Sequence, residues 1–226
     1  MTSTNPTSPP MQPRPLLRRL SSLAALAALT LALGGCAAMW AQNPDSPLKP
    51  VKAVAMDGDA HVMLTGHDVV AYFTLGRHAL GQPHIKSVYQ GVTFRFANAE
   101  HKALFDQSPL KYVPQYGGFC ANGIEYAIPW GGDADTWRIY DGKLYIFGGE
   151  GSRDAFELDT ANGLKLADKY GAEEVHGSNS FWQRTKRLIL RVPHYKTGAE
   201  LAQAVALAKA RKAGAAGTPT APKPSL

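Results

Sequence analysis

The segment KSVYQGVTFRFANAEHKALFDQSP, residues 86–109, carries a hairpin signal and a helix signal back to back. Two β-rich runs meet at Gln90-Gly91, a pair suited to a tight reversal. After it Val92, Phe94 and Phe96 alternate with Thr93 and Arg95, the period-two pattern of a half-buried strand. Asn98 then stands where an N-cap belongs, ahead of AEHKALFDQ, and Ser108-Pro109 closes that helix. Hairpin followed directly by capped helix predicts an α+β fold: a small single domain of antiparallel hairpins with short packed helices.

The flanks extend the pattern. Upstream, GHDVVAYF (66–73) reads as a short buried strand. Downstream, DTWRIYDGKLYIFGG (135–149) turns at Asp141-Gly142, both residues tolerating the positive φ of a type I′ turn. Trp137, Ile139, Leu144 and Ile146 give that second hairpin an apolar complement. Ser152 can cap a helix through RDAFELD, interrupted at Asn162-Gly163, and LKLADKYG follows with Gly171 as its stop. In FWQRTKRLILRV (181–192) Arg184, Arg187 and Arg191 share one face opposite Leu188, Ile189 and Val192. That helix reads as a surface helix packed on the sheet, or alternatively as a basic helix touching lipid headgroups. GAELAQAVALAKARKAG is a weak alanine-rich helix. The final AAGTPTAPKPSL has nothing to bury and is expected to be disordered.

The N-terminus sets the address. Arg14, Arg18 and Arg19 precede an apolar run from Leu20 to Leu33, about 14 residues and short of the roughly 20 a span requires. This is the pattern of a secretory signal. Its end, Leu33-Gly34-Gly35-Cys36, resembles a bacterial lipobox, which implies cleavage before Cys36, a diacylglycerol thioether on its sulfur and acylation, as with palmitate, of its new amine. Two or more chains anchor stably where one does not. Ala37, rather than aspartate, implies by the same resemblance an outer-membrane address facing the periplasm. A twin-arginine signal fits less well, given Leu17 and Ser21. Residues 1–35 are thus the expected signal peptide and 36–59, with three prolines, a tether. The domain spans 60–175, a helical extension 176–195, and an Ala/Pro-rich basic tail 196–226.

Charge excludes one class of partner. The formal +6 of the whole chain falls once residues 1–35 leave with three arginines and no acid, giving 21 basic residues against 18 acidic. Residues 36–195 hold 16 against 17, so the domain has no basic footprint for nucleic acid.

GHDVVAYF, YQGVTFRFANAEHKALFDQSPLKYVPQYGGFCA and WRIYDGKLYIF together resemble the YHS domain, in its larger exported variety, over about residues 60–175. The resemblance implies a small α+β fold related to treble-clef-like metal modules. Shorter relatives, found beside copper- and heavy-metal-handling domains, carry three cysteines, which select Cu(I) or zinc. The matching positions here are Ala71, Ala97 and His101, so two of three ligands are missing. His101 remains as a candidate ligand, with Cys120 and His67 as substitutes, for a transition metal such as copper or zinc. In exported selenoprotein-like relatives the selenium position matches Cys120, which implies that chalcogen reactivity matters there.

Cys120 sits in QYGGFCANG (115–123), and if Cys36 is lipidated it has no partner in the chain. Three readings stay open: a small buried hydrophobe, a redox thiol, or a metal or haem ligand. Gly117, Gly118 and Gly123 permit a close backbone approach, while Lys111 is the nearest basic residue in sequence and Glu125 opposes a thiolate. No phosphate loop, nucleophile elbow or metal-binding His pair is present, and Asp133 with Asp135 reads as a solvated turn. The expected protein is a membrane-anchored envelope lipoprotein with an accessory domain binding a transition metal or small ligand. Its alternatives are a thiol-redox protein acting through Cys120 and a non-catalytic scaffold for an envelope partner.

Overall fold

The computed structural model describes residues 42, 43, 45–56 and 58–216. The signal peptide, Cys36 and the last ten residues lie outside them. The strands are β1 (Ala53–Met56), β2 (Asp59–Met63), β3 (Gln82–Tyr89), β4 (Val92–Phe96), β5 (Asp133–Tyr140) and β6 (Lys143–Phe147). The helices are α1 (Ala71–Thr74), α2 (Ala99–Gln107), α3 (Pro109–Tyr112), α4 (Ala121–Ile124), α5 (Glu150–Phe156), α6 (Thr160–Tyr170), α7 (Ser180–Ile189) and α8 (Gly198–Ala216). This is the α+β class expected. No helix among the described residues is long and apolar enough to cross a membrane.

Both hairpins form as their turns demand. Gln90 and Gly91 take φ of 48° and 77°, and Asp141 and Gly142 take 49° and 71°, so each turn is left-handed twice. Tyr89 faces Val92 across the first, and Tyr140 faces Lys143 across the second. Asn98 caps α2 by accepting the His101 N–H at 2.8 Å.

Strand β4 departs from expectation. It is buried on both faces, not one: Val92, Phe94 and Phe96 lie in the main core, while Thr93 and Arg95 are covered where they bond to Ala60 O and Asp59. Arg95 is only 2% exposed. Its guanidinium reaches Asp59 at 2.8 Å, and Lys86 joins the same carboxylate. These two cations hold the Asp59 carboxyl below its ordinary range, Lys86 the more strongly. The backbone of Gly81 lies so close that a Cβ there would sit 2.4 Å from the Arg95 carbonyl carbon.

Four further readings are corrected. GHDVVAYF is buried, but it forms a turn and α1 rather than a strand. Asp68 forces this by accepting the Val70 N–H at 2.9 Å and the Ala71 N–H at 3.3 Å, a local side-chain pairing that competes with a ladder. The expected tether is in large part domain: β1 pairs antiparallel with β2, Val51 and Ala53 are buried, and Asn43 donates to Gly91 O at 2.6 Å. Helix α5 starts at Glu150 after Gly149, which leaves Ser152 inside its first turn rather than at its cap. Asn162-Gly163 does not interrupt α6. The break comes earlier, and Asp159 caps α6 by accepting the Asn162 N–H at 3.2 Å. Gly163 is needed for contact, since a Cβ there would lie 2.8 Å from the Phe156 ring.

Helix α6 does end at Tyr170, but Gly171 continues into a π-turn through Val175 with a right-handed φ of −58°. The alanine-rich segment is a regular helix, α8, seated against α5 with Lys209 paired to Asp154 at 2.6 Å. The alanine-rich helix read within the 196–226 tail is therefore formed, and residues 217–226 of AAGTPTAPKPSL lie outside the described residues.

Candidate functional site

The turn leading into Cys120 is built from three left-handed residues in succession: Tyr116, Gly117 and Gly118, at φ of 52°, 61° and 82°. Gly117 has no room for a side chain, because a Cβ would stand 1.6 Å from Pro50 O. Its own carbonyl accepts the Lys52 N–H at 2.6 Å. Gly117 thus serves contact with the segment preceding β1, and the turn delivers Cys120 to the start of α4. The Cys120 N–H donates to Trp130 O at 3.0 Å, and its backbone bridges Ile146 of β6.

Cys120 is a free thiol, 2% exposed, packed with Ala121, Tyr145, Phe147 and Phe156. Its Sγ lies 3.1 Å from Ser152 Oγ. Beside it is a cavity of about 250 Å³ walled by Tyr126, Ile128, Trp130, Tyr195 and Leu201. Asn122 lines the same cavity. It is 8% exposed, and its Oδ1 has no hydrogen-bond partner. A buried acceptor left unpaired costs about 1–3 kcal/mol, so such a group calls for a reason. A larger cavity of about 550 Å³ between α5 and α8 shares Asn122, Ser152, Gly198 and Leu201 with the first.

Among the described residues two cations reach this region from far along the chain, Lys196 on the cavity wall and Lys52 beside it. Lys52 donates to Gly132 O at 2.8 Å. Burial lowers its ammonium below the ordinary lysine range, while Asp133 and Cys120 oppose that fall. Lys111, the nearest basic residue in sequence, instead stands over the Tyr112 ring.

The residues proposed as metal ligands do not meet. His101 Nδ1 donates to the buried Asp68 carboxylate at 2.6 Å, and its Nε2 lies 3.0 Å from Thr74 Oγ1. Both nitrogens are therefore engaged in pinning α2 to α1. His67 Nδ1 lies 3.0 Å from Leu64 O, with its ring edge-on to His78. Among the described residues no three of His, Cys, Asp and Glu converge as a metal site requires. The described residues therefore do not fit a copper or zinc site. Asp135 accepts from its neighbour Thr136 at 3.2 Å, as in an ordinary strand entry.

Sequence reasoning singled out Cys120 but missed Asn122, Ser152 and Lys52 as its surroundings. Asn122 alone left a trace: a single amide in the run FCANGI, where the neighbours are apolar or glycine. Comparison with family models, with curated proteins and with solved structures found no match to this chain.

Proposed function

We propose that this protein is a lipid-anchored protein of the cell envelope whose YHS-like, treble-clef-related domain is an accessory module that binds a small organic ligand beside Cys120. The lipobox-like Leu33-Gly34-Gly35-Cys36 supports the anchor and the periplasm-facing address. The observation that carries the ligand reading is the unpartnered Asn122 Oδ1 on the wall of the Cys120 cavity. An acceptor there wants an N–H or O–H donor, and the aromatic and aliphatic walls want an apolar body. At about 250 Å³ the cavity takes a compact molecule with one polar end.

The test is mass spectrometry under native conditions on full chain extracted from its membrane. A small non-covalent adduct is expected on the wild type and is expected to be lost from Asn122→Leu, with both proteins folded by thermal melt. Wild type without an adduct, and without any melt shift across a library of small amines, amides and alcohols, would sink the reading.

The thiol-redox alternative draws on Ser152 and Lys52 beside Cys120. In that chemistry the thiolate attacks the terminal hydroperoxide oxygen and the O–O bond breaks. The hydroxyl stays on Sγ as a sulfenic acid, and the leaving hydroxide or alkoxide takes the proton the thiol gave up and departs as water or an alcohol. Trapping of that acid by a carbon nucleophile, unchanged in Asn122→Leu, would favour it over ligand binding. Absence of trapping at full peroxide consumption would dismiss it.

A further inference from the structure

Helix α7 is mounted inside out. On its wheel Phe181, Trp182, Thr185, Leu188 and Ile189 fall on one arc, with Gln183, Arg184 and Arg187 on the other. The polar arc faces the protein. Gln183 Nε2 donates to Ala127 O at 3.0 Å, and Arg184 is buried over the Trp130 ring. Arg187 and Lys186 both meet Glu174, the latter at 3.0 Å. The apolar arc faces outward, with Trp182 63%, Leu188 47% and Ile189 74% exposed, and Leu190 just beyond the helix at 62%. A helix packed for stability alone presents the opposite arrangement, and a contiguous exposed apolar stripe marks an interaction surface.

The first turn of α7 is tied to the start of the described chain. Gln42 Nε2 donates to Ser178 O at 2.9 Å, and Gln42 Oε1 accepts the Ser180 N–H at 2.7 Å. Only five residues separate Gln42 from Cys36, at most roughly 20 Å of extended chain. Of the five basic side chains in residues 180–196, Arg184 is buried and Lys186 and Arg187 pair with Glu174, which leaves Arg191 and Lys196 exposed at the C-terminal end, with Glu200 in their field.

We propose that α7 lies in the surface of the bilayer that holds the Cys36 lipid, with Trp182, Leu188, Ile189 and Leu190 among the upper acyl chains and Arg191 and Lys196 at headgroup phosphates. The location rests on the lipidation reading above. Tryptophan at the headgroup level and a basic flank are what an interfacial helix uses. A protein partner would also cover an apolar stripe, but the short reach from Cys36 and the exposed Arg191 and Lys196 at the end of the stripe favour a bilayer surface. The acyl chains then hold the domain down, and α7 fixes which side of it faces the membrane.

The experiment uses full chain in vesicles of phosphatidylethanolamine and phosphatidylglycerol, with lipids brominated close to the headgroup as quenchers. The difference between wild type and Trp182→Phe isolates the fluorescence of Trp182. Quenching of that difference signal is expected. Ile189→Glu, at an exposed position that leaves the fold intact, is expected to shift the inserted-to-free ratio about tenfold or more toward free. The acyl mass on Cys36 is read from the same samples. An acylated chain whose Trp182 is unquenched, or is quenched equally in Ile189→Glu, overturns the proposal and spares the anchor. Quenched Trp182 on a chain without acyl mass supports the lipid-facing helix and sinks the anchor. Protection of Trp182 only in self-associated chain, or only with an added envelope protein, overturns it in favour of a protein interface.

Discussion

Asn122 and Glu125 show how single residues in one short stretch carry separate costs. Asn122 holds an unpaired acceptor in the interior, and Asn122→Leu should remove that cost while filling similar volume. We expect the variant to gain about 1 kcal/mol, read as a rise in Tm of about 2–4 °C, and to lose the small-molecule adduct. Stability gained with function lost is the mark of a residue kept for binding. A variant that melts lower would instead show that Asn122 supports the fold. Glu125 is a different case. Burial pushes its carboxyl up to about 7, against the lowering effect of Tyr126 and Lys196. The folded state therefore holds a proton that the unfolded chain releases near 4.5. The resulting stabilisation is complete below pH 4.5 and is lost as pH rises through about 7, at a slope approaching about 1.4 kcal/mol per unit. Thermal melts between pH 5 and 8 should fall with pH in the wild type and flatten in Glu125→Gln. Parallel curves for the two proteins would refute this assignment.

At the scale of elements, what could be read from sequence was whatever is decided within a few neighbouring residues. Both hairpin turns and the Asn98 cap were legible, because Gln90-Gly91, Asp141-Gly142 and Asn98 act on their own backbone. GHDVVAYF was not, since its buried character suits a strand and only the Asp68 contacts decide for a turn. Strand β4 kept its pattern of alternation although both faces are covered, because Arg95 is polar yet paired to Asp59 36 residues away. The site suffered most from distance: Lys52 and Ser152 reach Cys120 only through the tertiary fold. Glycines divide the same way. Gly117 and Gly142 have similar φ, 61° and 71°, yet a Cβ at Gly142 meets nothing within 4 Å while one at Gly117 meets Pro50 O at 1.6 Å. Gly142→Ala should cost only its left-handed strain, about 1–2 kcal/mol. Gly117→Ala should cost about 4 kcal/mol or more, because it forces the segment before β1 off the Cys120 turn. Chemical denaturation of the two variants measures both, and equal losses would contradict the close approach at Gly117.

For the whole molecule, the segment first taken as a tether determines where the domain begins. Val51 and Ala53 are buried in the main core with Met63 and Phe94, and β1 supplies an edge of the four-stranded sheet. Asn43 and Ser46 hold the carbonyls of the Gln90-Gly91 turn, and Lys52 reaches the Cys120 region. A chain that starts at residue 60 keeps both hairpins and the Cys120 turn, yet it lacks β1 and uncovers the apolar side chains beneath it. Burying a side chain of valine size contributes about 1.5–3 kcal/mol, and a domain's whole margin is about 5–15 kcal/mol, so losing Val51, β1 and their hydrogen bonds together removes most of that margin. We therefore expect a chain beginning at Gln42 to melt cooperatively with unchanged Tm, and one beginning at Ala60 to aggregate or melt without a sharp transition by circular dichroism. An intact, cooperative melt from the shorter chain would show that residues 42–56 merely lie on the surface. It would also free some twenty further residues between Cys36 and the folded body, and so remove the short reach that sets α7 against the bilayer.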